Sequence, residues 1–291
     1  MQFLIFIFFY PILWCISILP FRILYFVSDL VYILVYKIIG YRKKTVRANI
    51  QLTFPHLSAK EQLLIEKKFY HHLCDLFLEM IKTLTISKSE IDKRFVFKNL
   101  ELFDSIEKKG KSVAVMCAHY ASYEWSISLN NKVNFKGYGI YKKIRNIYFD
   151  KLVKDIRSKF KAHLITTKET IPTIAQNSRN NVLAVYGFAS DQSPKINAAF
   201  HWNYFMGSFV PVHTGAEMLS KKYDMTVVFM KNRKVKRGFY EASFEMISED
   251  TKSVPNYGIT DHFLRLVEQQ IYENPEYYLW THKRWKHRKE N

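Results

Sequence analysis

The sequence predicts an α/β fold with a mainly parallel central sheet flanked by helices, behind an N-terminal hydrophobic segment. Three observations lead there. The run Lys111-Ser-Val-Ala-Val-Met-Cys-Ala118 is almost continuously apolar, the pattern of a strand buried on both faces. Strand-like and helix-like segments alternate from that run to the carboxyl end. The chain also opens on two long apolar stretches, unlike anything later in it.

The 19 residues from Phe3 to Phe21 carry no charge. As helix they reach about 28 Å, close to the roughly 30 Å hydrocarbon core of a bilayer. After Arg22, the stretch Ile23 to Tyr36 holds only Asp29 as a charge, and Lys37, Arg42, Lys43, Lys44 and Arg47 follow. No basic region precedes the apolar one and no small-residue cleavage site follows it, so a retained anchor fits better than a signal peptide. Pro11 and Pro20 each remove an amide donor, which leaves a spanning and a monotopic arrangement both open. Basic residues on the carboxyl side of the anchor put the body in the cytoplasm by the positive-inside rule. The expected division is an anchor over residues 1–40 and a single body over 41–291.

In the body, Ser58-Ala-Lys-Glu61 reads as a capping box opening a long helix to about Thr85, with Phe69, Leu73, Phe77 and Ile81 among its apolar positions. The buried strand over 111–118 comes next, and Ala121 to Leu129 reads as helix. Further strands are expected at Gly137–Tyr141, Val182–Tyr186, Thr226–Met230 and Tyr240–Met246. Helices are expected at Ile147–Phe160, Lys168–Ala175, Thr214–Tyr223 and Thr260–Tyr272.

Forty-four Lys and Arg against 26 Asp and Glu give a net charge of +18, a field that attracts anionic partners. Zinc-finger spacing, basic-region heptads and RNA-recognition signatures are all absent, so no nucleic acid is expected. Cys15, Cys74 and Cys117 are odd in number and scattered, which excludes a disulfide framework and a CxxC site. Each reads as a small buried hydrophobe. GxGxxG and GxxxxGK[ST] are absent, so no nucleotide cofactor is signalled, and no metal-ligand spacing is signalled either.

The candidate chemistry lies at the end of the buried strand, in His119-Tyr-Ala-Ser-Tyr-Glu124. In parallel sheets, ligands bind beyond the carboxyl ends of the strands. The spacing alone is weak, because His56-Leu-Ser-Ala-Lys-Glu61 repeats it with Glu61 already committed to a helix cap. Five residues on one α-helix also leave two side chains roughly 140° apart. Across a strand-to-helix turn, however, Glu124 could hold one imidazole nitrogen of His119 while the other takes a proton from a hydroxyl. That is a general base with an orienting carboxylate and no nucleophile of its own. Arg145, beside Lys142 and Lys143, is a candidate for binding phosphate or polarising a carbonyl. Asp191 and Gln192 follow an apolar strand and so share the carboxyl edge, where they could position substrate or His119. In the closing segment, Trp280 and Trp285 among Lys, Arg and His have the composition of a membrane-interface contact.

These residues together resemble the bacterial lipid A biosynthesis acyltransferases. The resemblance runs in order along nearly the whole chain: an apolar anchor, Tyr41-Arg-Lys-Lys44 with Arg47 and Asn49, and Phe54-Pro55. It continues with His119-x4-Glu124, Tyr141-x3-Arg145-Asn146 with Asp150, and Asp191-Gln-Ser-Pro194. Phe205-Met-Gly207 and Tyr278-Leu-Trp-Thr-His-Lys-Arg284-Trp-Lys286 complete it. It implies transfer of an acyl chain from an acidic acyl carrier protein to a hydroxyl of a lipid A precursor at the cytoplasmic face of the inner membrane, with His119 and Glu124 catalytic. Lys142-Lys143 stand where the family commonly has Arg-Pro, and Ser193 where it often has an acidic residue or Asn. An aminolipid or glycerophospholipid therefore stays open as acceptor. A non-enzymatic membrane scaffold is the reading from a different class.

Overall fold

A computed structural model describes residues 1–289; the final two positions of the expected 41–291 body lie outside the described residues. Five α-helices come first, with a π-helix over Ile33–Ile39 between the second and third: α1 (Gln2–Ile18), α2 (Phe21–Tyr32), α3 (Lys43–Thr53), α4 (Ala59–Lys82) and α5 (Lys88–Arg94). The capping box that opens α4 is present. Ser58 Oγ accepts from the Glu61 amide at 3.3 Å, and the Glu61 carboxylate accepts from the Ser58 amide at 2.8 Å.

The apolar N-terminal helices lie against α4. The Lys82 ammonium donates to the carbonyls of Ser17 and Leu19 at 2.6 and 2.8 Å, satisfying groups that the end of α1 leaves open. On α2, Ser28 donates to Asp75 at 2.8 Å, and Arg237 bridges Asp29 and Asp75 at 2.6 and 2.7 Å. No single helix among the described residues is long and apolar enough to cross a membrane. The stretches 21–39 and 43–53 meet that test only as a pair bent by 91°. Cys15, expected to be buried, is exposed on α1, while Cys74 and Cys117 are buried.

Among the described residues nine strands follow: β1 (Phe95–Phe97), β2 (Val113–Cys117), β3 (Lys136–Tyr141), β4 (Ala162–Thr166), β5 (Ala184–Ala189), β6 (His201–Phe205), β7 (Ser208–Val212), β8 (Thr226–Lys236) and β9 (Phe239–Ser248). Seven form one curled sheet in the order β1-β9-β8-β2-β5-β3-β4, parallel throughout except for the β8–β9 hairpin. β6 and β7 make a separate antiparallel hairpin. Helices α6 (Glu101–Lys108), α7 (Ile147–Ser158), α8 (Thr170–Arg179), α9 (Gly215–Tyr223) and α10 (Gly258–Glu273) flank the sheet. β2 sits near the centre with all five residues buried, as its unbroken apolar run requires.

The α/β class and the mainly parallel sheet are those read from the sequence. One predicted element is different. Instead of an α-helix over Ala121–Leu129, the chain turns tightly after β2 and forms a 3-10 helix over Trp125–Asn131. Ala121 stands at φ 49°, in the left-handed region, which ends any helix at that point.

Candidate active site

Two neighbouring parallel strands deliver the central pair. β2 ends at Cys117 and β5 at Ala189, which are partners in the register. One further rung, Ser190 N–H to the Cys117 carbonyl at 3.3 Å, carries the pairing past the strand ends. His119 and Asp191 therefore emerge side by side at the carboxyl edge. The loop bearing His119 is also tied to the closing segment: the Leu279 amide donates to the His119 carbonyl at 3.1 Å, and the Ala121 amide to the Tyr277 carbonyl at 3.0 Å.

The result is a hydrogen bond of 2.7 Å between His119 Nδ1 and Asp191 Oδ1. Asp191 is 1% exposed and His119 21%. Burial is the largest influence on His119 and pulls its pKa down. The charge and hydrogen bond of Asp191, with the charge of Glu124, outweigh it and hold the imidazole above its ordinary 6.5. For Asp191 burial pushes upward, yet the His119 ring and the backbone amides of His119 and Asp191 keep the carboxyl below its ordinary 3.8. An ionised carboxylate so placed fixes the Nδ1–H tautomer and leaves Nε2 to exchange a proton.

Glu124 does not occupy the orienting position expected of it. It stands just before the 3-10 helix, and its Oε2 accepts from Arg157 Nη2 at 2.5 Å. The path of the turn, with Ala121 left-handed, carries the Glu124 carboxylate to the last turn of α7 instead of to the imidazole. Arg157 escaped the sequence reading, since a cation at a helix end is commonplace and its partner lies 33 positions away.

His119, Glu124 and Arg157 line one cavity of about 320 Å³, together with Tyr123 and Lys142. Its wall is largely apolar, with Val115, Ile127, Leu129, Ile140, Val185 and Met230. Tyr123 places its ring edge-on to His119 at 5.0 Å. Of the other sequence candidates, Arg145 is exposed in the loop after β3 and is not part of the cavity wall. That loop is held by Asp150, which accepts from the Tyr141 hydroxyl at 3.0 Å and the Ile144 amide at 2.9 Å. Gln192 is half-buried and makes no hydrogen bond to His119 or Asp191.

Behind the pair, the tryptophans of the closing segment are core residues and not the surface expected of a membrane contact. Trp280 and Trp285 are 0% and 3% exposed and stack on each other at 5.9 Å, Trp285 stacking in turn on Phe205. Their basic neighbours suggested an interface, but Arg284 is itself buried, donating to the Pro211 carbonyl at 3.0 Å beside the Phe205 ring. Burial pushes His282 down to about 4, against an upward pull from Asp191.

A curled α/β sheet with a histidine–carboxylate pair at the mouth of an apolar cavity suits transfer of a group with a hydrocarbon tail, and the family match gives the class: this is an acyltransferase. Residues 2–287 match the family model of the bacterial lipid A biosynthesis acyltransferases, and the chain belongs to that family. No curated protein matches the chain.

Proposed function

We propose that the protein transfers a fatty acyl chain from an acyl carrier protein thioester to a hydroxyl of a lipid A precursor, with His119 as general base. The reading rests above all on the His119–Asp191 pair at the mouth of an apolar cavity in a member of this family. In the proposed step, His119 Nε2 takes the acceptor hydroxyl's proton as its oxygen attacks the thioester carbonyl. The tetrahedral intermediate collapses, the carbon–sulfur bond breaks, and the departing thiolate takes the proton from the imidazolium. Asp191 stabilises that imidazolium and holds the ring; Glu124 acts by steadying Arg157. The guanidinium commits one donor to Glu124, so its other N–H groups can meet the developing oxyanion or an anionic headgroup. No metal or nucleotide takes part.

Lys142 at the cavity rim and exposed Arg145 suit an acidic carrier and a phosphorylated acceptor. The apolar outer faces of the first two helices, with Leu4, Phe8 and Phe26 each more than three-fifths exposed, favour attachment along the cytoplasmic surface of the inner membrane. Mass spectrometry of total lipids after gene deletion tests the acceptor. Loss of one acyl chain from lipid A is expected; intact lipid A with an altered aminolipid or glycerophospholipid would replace that acceptor.

A further inference from the structure

Side chains alternate across a strand, so register partners in a parallel sheet share a face. Gly187 on β5 pairs with Val115 on β2 and with Gly139 on β3. All three line the cavity beside His119, with Cys117 and Ala189 one row nearer the imidazole. Two adjacent strands thus lack side chains on the same row. The gap opens a trough along the strands, roofed by Ile127 and Leu129 of the 3-10 helix.

The trough ends one row deeper. Val185 lines it there, and at neighbouring Gly137 the Asn130 side chain fills the space, its Cγ 2.1 Å from where a Cβ would stand. From Ala189 to Val185 is four residues, about 13 Å of strand at roughly 3.3 Å each. The two glycines of the open row differ. A Cβ on Gly139 would press on Leu164 Cδ2 at 3.1 Å, whereas one on Gly187 would meet only the Tyr138 carbonyl oxygen, at an ordinary 3.7 Å. Gly187 is also not among the residues with positive φ. A side chain there costs the backbone nothing and projects into the open trough.

We infer that Gly187 sets the length of the acyl chain the enzyme accepts, with Val185 and the Asn130 side chain as the floor where its methyl end stops. The inference rests on the proposed acyl transfer and names the subsite that measures the tail. A methylene admitted to or excluded from an apolar pocket changes kcat/KM roughly 10- to 200-fold.

The test is a graded series of saturated acyl thioesters on carrier protein, given to the full-length protein and to its Gly187→Ala, Gly187→Val and Val185→Ala variants. The chain giving the highest kcat/KM is expected to shorten with Gly187→Ala, shorten further with Gly187→Val, and lengthen with Val185→Ala. For Gly187→Val, the long-to-short ratio should fall at least roughly tenfold. Equal loss at every length in folded variants, or an unchanged optimum, would overturn the inference while leaving acyl transfer intact. A wild-type protein inactive with every thioester would instead overturn the proposed function itself.

Discussion

Asp191 Oδ1 lies 2.7 Å from His119 Nδ1, although 72 positions separate the two residues in the chain. The contact follows from strand order alone: β2 and β5 are neighbours, and each carries its residue two positions past its last rung. The orienting carboxylate is therefore a long-range partner, while the one five residues from His119 serves Arg157.

Asp191→Asn should lower kcat/KM by about two to four orders of magnitude, the usual range for general-base catalysis. It should also move the acid limb of the pH–rate profile. In the wild type, the histidine must lose a proton held above the ordinary 6.5, so the limb lies above that value. Without the carboxylate's charge, burial is opposed by Glu124 alone and the limb should move to lower pH. A profile of kcat/KM against pH for both proteins decides this, and an unmoved limb would remove Asp191 from the pair.

Glu124 and Arg157 should behave as one unit. If Glu124 acts through Arg157, Glu124→Gln and Arg157→Met each impair transfer, and the double variant is little worse than the poorer single one. A double-mutant cycle on kcat/KM measures this. Additive losses would show that the two act separately, as a Glu124 serving His119 directly would require.

Gly137→Ala should destabilise the fold by about 1–3 kcal/mol through overpacking. The added methyl would stand 2.1 Å from Asn130 Cγ and must displace a buried side chain. Denaturant midpoints for the two proteins give the difference, and a change near zero would mean that Asn130 moves freely.

Glu79 ties the first helices to the sheet, accepting from the hydroxyls of Tyr25 and Tyr240, each at 2.8 Å. Burial is the main cause that lifts its pKa from 4.5 to about 7. Between those values the folded state binds more protons than the unfolded one, so stability falls as pH rises through the window. Glu79→Gln removes that term. Its stability relative to wild type should therefore increase from pH 4.5 to 7 and level off above it, as read from unfolding at a series of pH values.

Much of this arrangement was legible in the sequence because local physics decides it. The run 113–117 is apolar on both faces and could only be a central strand, and Ser58 with Glu61 announces its helix by chemistry within four residues. β1, β4 and the β6–β7 hairpin were missed; three residues, or a run such as Ala162-His-Leu-Ile-Thr166, carry no clear period. Asp191 could be placed at the correct edge, but its pairing depends on strand order, which no local pattern records. Glu124 misled for the complementary reason. A spacing of five invites pairing across a turn, and only the turn's actual path, set by left-handed Ala121, sends the side chain to α7. Trp280 and Trp285 show the same limit, since aromatic-basic composition is shared by an interface and by a core built around a buried arginine.

In the proposed reaction, His119 removes the acceptor's proton. Acyl transfer from carrier-protein thioester to a lipid A precursor by purified wild-type and His119→Ala protein, with folding checked by circular dichroism, tests it most directly. The variant should fold, and its kcat should fall by about two to four orders of magnitude. Normal turnover by folded His119→Ala would contradict it.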